Sequence, residues 1–181
     1  TPEDAFIGPG MSYFTAEGIY PPRRRYLLGR LSLEVGDLDA VRRIIVELES
    51  GDARTPMDRR YQDYFARLLR AELARADGNP AAALEALGEP EIPASATLPD
   101  LLDYPRAHER WLRAELLREL GRQDAAHAWY ATFPDPQGYD LAYLAASHLR
   151  RAELLEAQGE SDAAAIHLTR FSALREPASS Q

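Results

Sequence analysis

The sequence predicts an all-α chain, about eight helices in four antiparallel pairs, arranged as an α-solenoid. Three observations carry the prediction. The tetrapeptide Arg-Ala-Glu-Leu occurs at Arg70–Leu73, Arg113–Leu116 and Arg151–Leu154, and five residues after each Leu stands a glycine, Gly78, Gly121 or Gly159. A degenerate fourth copy, Leu28-Gly29-Arg30-Leu31, precedes Gly36, so the four glycines are 42, 43 and 38 residues apart. Aligning on these glycines gives columns: a small residue seven before (Gly29, Ala71, Ala114, Ala152) and a Leu five before (Leu31, Leu73, Leu116, Leu154). Five after comes Val41, Ala83, Ala126 or Ala164, and nine after comes Ile45, Leu87, Tyr130 or Leu168. Small residues at facing positions let two helices approach, and a glycine supplies the left-handed turn that ends the first of them. Finally, no stretch sustains the two-residue alternation of a half-buried strand.

Taken in order, residues 1–22 read as an irregular lead-in, because Gly8-Pro9-Gly10, Gly18 and Pro21-Pro22 break helices. The helical domain spans 23–176, in units of about 23–50, 56–88, 104–133 and 140–175. Thr55-Pro56 and Asn79-Pro80 place a capping side chain just ahead of a first-turn proline. Links bearing Pro and Gly fall at Ser50–Pro56, Gly88–Pro105 and Pro134–Asp140, the second being the longest. In the last unit Leu141, Leu144, Ala145, His148, Ala152 and Leu155 recur at three- and four-residue steps, one buried stripe of a helix. Residues 177–181 read as a disordered tail.

Composition narrows the chemistry. The 181 residues include 29 acidic and 21 basic ones, a net charge of −8; every basic residue is Arg, and Cys is absent. A disulfide framework, a cysteine-ligated metal, a Lys Schiff base and a P-loop Lys are thereby excluded. Acidity argues against a nucleic-acid partner, since neutralising phosphates needs a basic face. No apolar run approaches the ~18–20 residues of a membrane span. The first 25 residues lack the basic and apolar regions of a secretion signal, so a cytoplasmic location is expected. The start at Thr1 reads as the edge of a fragment, and the Arg- and Ala-rich, lysine-free usage as that of a GC-rich bacterial genome.

Together these columns resemble the tetratricopeptide repeat (TPR) family. Its pattern matches here at Leu28-Gly29 and at Ala83-x3-Leu87, Ala126-x3-Tyr130 and Ala164-x3-Leu168, over residues 23–175. The spacing exceeds the family's 34 residues, the closing proline is out of register, and Val41 stands where Ala is usual. The resemblance implies a TPR-like right-handed superhelix with a concave groove that binds a peptide or a partner's surface. The segment Asp140–Phe171 also resembles the C-terminal repeat regions of bacterial multidomain regulators, such as Ser/Thr kinases and transcriptional activators.

Counting back from each glycine, the family's groove positions fall on Arg23, Tyr26, Arg30 and Leu33, then on Phe65, Leu68, Glu72 and Arg75. The third and fourth sets are His108, Trp111, Glu115 and Arg118, and Ala146, Leu149, Glu153 and Glu156. The inferred groove carries aromatic anchors and a row of carboxylates, Glu72, Glu115 and Glu153. Family members that grip a C-terminal carboxylate use Asn and Lys there, so a partner bearing Arg or Lys among apolar residues is the better match here. A plainer reading stands beside it: each glutamate has an Arg one turn away (Arg75, Arg118, Arg150), as solvated surface ion pairs do. Likewise Trp111 and Tyr26 suit packing as well as ligand contact. Arg70, Arg113 and Arg151 suit a seam position, where they pack their stems and cap carbonyls.

No reaction emerges. His108, His127, His148 and His167 lie about twenty residues apart, none sharing a helix at zinc-site spacing, and His148 reads as a packed histidine. No G-x-S-x-G is present, and Asp135 and Asp140 fall in a link. The expected function is therefore a non-enzymatic protein–protein interaction module, a scaffold or sensor without cofactor or metal. Two rivals are self-association through the uncapped end near Phe171 and Leu174, and an effector-sensing domain with a pocket under the Glu89–Tyr104 link.

Overall fold

Four of the glycines make one and the same turn. Gly36, Gly78, Gly121 and Gly159 all take positive φ, between 72° and 81°. At each, the glycine N–H bonds the carbonyl three residues back, and the following N–H bonds the carbonyl five back: Gly78 to Arg75 and Asn79 to Ala74, for example, both at 2.9 Å. These two bonds satisfy carbonyls that a helix end leaves orphaned, and a left-handed residue is needed to make them. The computed structural model describes residues 16–89, 103–133 and 140–175, and these form eight α-helices and no strand. They are α1 (Ala16–Glu34), α2 (Leu38–Ser50), α3 (Pro56–Ala76), α4 (Pro80–Leu87), α5 (Asp103–Glu119), α6 (Gln123–Tyr130), α7 (Leu141–Ala157) and α8 (Ser161–Arg175).

The caps read from the sequence are in place. Thr55 Oγ1 accepts from the Asp58 N–H and Asp58 returns a bond to the Thr55 N–H, each 3.1 Å, which fixes where α3 starts. Asn79 Oδ1 accepts from Ala82 N–H at 3.0 Å at the head of α4. A further cap, Asp37 with Ala40 N–H at 2.9 Å, opens α2.

Two expectations are corrected. Helix α1 starts at Ala16, so Gly18, Pro21 and Pro22 lie inside it rather than in a lead-in ending at residue 22. A proline's fixed φ matches helical backbone, and the pair costs two ladder bonds in the first turns without ending the helix. The chain also divides into two compact units, residues 1–86 and 87–181, rather than one domain over 23–176. The division falls just ahead of the longest link. Residues 1–15, most of the two later links, and the tail 177–181 lie outside the described residues.

In the first unit α1 packs on α2 and α3, and α2 on α3. Tyr26, Val41, Leu48, Phe65, Leu68, Leu69 and Ala71 are fully buried there. Gly29 shows why its column is small: a Cβ added to it would lie 2.6 Å from Leu69 Cδ1. In the second unit α5 packs on α6, α6 on α7, and α7 on α8. Ala114, Ala126, Ala152 and Ala164 are buried at its seams. Leu31 and Leu168 depart from their columns and are exposed.

Gly29→Ala is expected to destabilise the chain by about 1–3 kcal/mol in urea denaturation, through overpacking against Leu69. Combined with Leu69→Ala, its cost should shrink by at least about 0.5 kcal/mol, the coupling that direct contact produces. Strict additivity would show that Gly29 is not a contact point of α1 with α3.

Candidate functional site

The densest polar arrangement centres on Glu115, on α5, whose side chain is 5 % exposed. Three helices send donors to it. The Tyr130 hydroxyl donates from α6, Arg118 donates from the next turn of α5 at 3.1 Å, and Arg150 Nε donates from α7 at 3.0 Å. Burial alone would raise the Glu115 pKa. Hydrogen bonds from Tyr130 and Arg118, with the charges of Arg150 and Arg118, overcome it and hold the carboxyl below its usual range. Tyr130 responds in the other direction: burial first, then the neighbouring carboxylate, keep its phenol protonated. Arg150 also reaches Glu153, at 2.9 Å.

Aromatic rings cover one side of this network. Trp111 stacks on Tyr143 with centroids 5.4 Å apart and meets Tyr130 at a tilt, also at 5.4 Å. The Tyr143 hydroxyl bonds His108 Nδ1 at 2.8 Å. Arg110 lies 4.5 Å over Phe133 while donating to the Thr132 carbonyl at 2.6 Å and to the Asp140 carboxylate.

The first unit holds a simpler version. Arg30 on α1 binds Glu72 on α3, whose side chain is 13 % exposed. Tyr26 stacks on Phe65 with centroids 5.1 Å apart. Leu33, Glu34, Glu72, Arg75 and Ala76 line a cavity of about 350 Å³ beside the ion pair.

The residues drawn from the groove positions therefore fare differently. Tyr26, Phe65, Leu68 and His108 are buried by the chain itself, and Trp111, Leu149, Arg30, Arg75 and Arg118 are half-buried. The three glutamates differ in their surroundings. Glu72 and Glu115 are held by the chain's own arginines, with side chains only 13 % and 5 % exposed, so neither is the solvated surface pair expected of it. Only Glu153, 45 % exposed, keeps a solvated ion pair. Arg70, Arg113 and Arg151, equivalent in sequence, have different partners: Glu49 at 2.5 Å for the first, the Gly88 carbonyl at 2.9 Å and the Glu109 carboxylate at 3.2 Å for the second, and His127 at 3.4 Å for the third.

Sequence reasoning missed the meeting of three histidines. His148 and His167 sit opposite one another across the α7–α8 turn, Nδ1 to Nδ1 at 2.9 Å with stacked rings, and Arg151 carries the contact to His127 on α6. Counting outward from Gly159 in both directions, as the Ala152 and Ala164 columns already do, nearly pairs the first two. Among the described residues no group of three His, Asp or Glu could hold a metal ion, and no helix is long and apolar enough to cross a membrane. No family model matches the chain, and no curated protein or solved structure is significantly similar to it.

Glu115→Ala is expected to cost about 3 kcal/mol in chemical denaturation, because it removes the buried acceptor shared by Tyr130, Arg118 and Arg150 and leaves Arg150 only Glu153. Glu153→Ala should cost no more than about 0.5 kcal/mol. Because the folded pKa of Glu115 lies below its unfolded value, its contribution is present above about pH 4.5 and is lost as pH falls through the folded pKa. Equal costs for the two alanine variants would contradict the network.

Proposed function

We propose that the chain is a TPR-like helical-hairpin module that binds a protein partner through an apolar surface and carries out no reaction of its own. The observation that carries the reading is α1, which is apolar on two opposite faces. One face, Tyr26 and Gly29, enters the core; the other presents Leu27, Leu28 and Leu31, the last 63 % exposed, and Val35, just past the helix end, continues it at 79 % exposed. Leu27, Leu31 and Val35 follow at four-residue steps, so they form one stripe. A surface helix ordinarily turns polar residues outward, and a contiguous exposed apolar stripe marks an interaction surface. Val46 on α2 is exposed in the same unit.

Further support for the hairpin-array reading comes from the four equal glycine turns and the buried small residues that flank them. The wider reading, a scaffold or sensor segment of a bacterial regulatory protein, rests on the resemblance of Asp140–Phe171. The internal pairing of Glu72 and Glu115 moves the expected contact away from a basic partner and toward an apolar one.

The test is the double variant Leu31→Glu, Val35→Glu in the full chain. Circular dichroism should be unchanged, since both side chains already face solvent, while partner captured on immobilised protein should fall at least about tenfold, the loss of two buried leucine-class side chains. Undiminished capture defeats the reading. Light scattering of both proteins over a wide concentration range separates the rival: mass that grows with concentration, and does so only in the unsubstituted chain, identifies the stripe as a self-association surface.

A further inference from the structure

The α7–α8 hairpin is closed by little apolar material. Its seam buries Ala152, Leu155 and Ala164, with Ala163 packed beside them. Among the described helices α8 packs mainly on α7. Two imidazoles complete the contact, His148 from α7 and His167 from α8, only 4 % and 8 % exposed. Their Nδ1 atoms are 2.9 Å apart, and the rings stack with centroids at 5.2 Å. A helix held by so few buried apolar groups is one that can open by itself, since local opening is easiest where little apolar surface is packed.

A bond between two imidazole nitrogens needs one hydrogen: one Nδ1 donates it and the other accepts. A first added proton can enter at Nε2 of the donor ring and leave the bond standing. A second cannot, because Nε2 of the acceptor ring already carries its hydrogen and the only lone pair left is the Nδ1 one that accepts the bond. Double protonation therefore sets two N–H groups against each other. The charged groups that face the pair are basic: Arg151 on α7, Arg170 on α8 and His127 on α6. Asp124 and Glu160 bear on His127, and Arg150, also on α7, turns to Glu115 and Glu153. Burial first, then Arg151, holds His167 down at about 4, and burial with Arg170 and Arg151 lowers His148.

We propose that the His148–His167 bond is an acid-released latch: with neutral rings it holds α8 on α7, and with both rings protonated it lets α8 leave while the rest of the chain stays folded. Once α8 is away, both imidazoles return to the ordinary value near 6.5, above their docked ones. The released state therefore takes up protons as pH falls from about 6.5 toward 4, and the balance moves to it across that window. Above the window both rings are neutral in either state and the latch is at full strength. Release uncovers Ala152, Leu155 and His148 on α7, so mild acid would convert a covered helix face into an open one.

Native-state hydrogen exchange of the full chain, followed by NMR at about pH 7.5 and about pH 5 and corrected for intrinsic amide rates, reads opening helix by helix. The opening constant of the α8 amides should rise at least about tenfold toward the lower pH. Those of α3, in the unit that holds no histidine, should change less than about threefold. In the same samples the imidazole signals of His148 and His167 should titrate below the ordinary range near 6.5. The double variant His148→Gln, His167→Gln should cut the α8 rise to less than about twofold, whereas His127→Gln should leave it in place. If the double variant does not fold, His167→Gln alone is expected to roughly halve the slope of log opening constant against pH. Equal rises in α3 and α8, α8 protection that ignores pH, a full rise in the glutamine variants, or either imidazole titrating near 6.5 while α8 stays protected overturns the proposal.

Discussion

A helix that ends in a reversal leaves its last carbonyls without partners, and the second helix of the pair can pack on the first only if those carbonyls are satisfied within the turn itself. Here one backbone solution serves four times: a glycine with φ between 72° and 81° and the same two hydrogen bonds behind it. The turn sets the distance between the helices, and that distance is short. The buried alanines at the seams of the second unit fit that distance, and in the first unit Gly29 lets α1 approach Leu69 of α3.

Close helices leave little room for water between first-turn and last-turn polar residues, and this decides the fate of the charges. An acid-rich chain with no lysine must neutralise any buried carboxylate with guanidinium groups or hydroxyls. Glu115 takes two of the former and one of the latter from three helices, and Glu72 takes Arg30. Guanidinium suits the task because it stays charged when partly buried and offers several donors in one plane. Such pairing commits the carboxylates to the interior. What is left exposed in the first unit is the apolar outer stripe of α1.

How much of this could be read from residue order differs by kind of feature. The turn glycines, the caps at Thr55 and Asn79 and the small seam residues were legible because each depends on neighbours within about five positions. The start of α1 was not, because prolines and a glycine argue locally for a break and only the packing of Tyr26 and Gly29 onto α3 outweighs them. The groove residues were placed correctly on first helices of pairs, yet their exposure was misjudged. Whether Glu115 is solvated depends on Tyr130 and Arg150, fifteen and thirty-five residues away, and no column alignment carries that information.

By itself, then, the sequence determined the helical class, the positions of the four reversals and the small residues beside them, all of which follow from backbone conformation and side-chain volume at single positions. Tertiary structure alone decided that, of three equivalent arginines, Arg70 reaches Glu49, Arg113 the Gly88 carbonyl and Glu109, and Arg151 a histidine, and which of three equivalent glutamates sees water. The physical reason is that charge pairing and burial are properties of neighbours across helices, and identical tetrapeptides acquire different neighbours once the chain is folded.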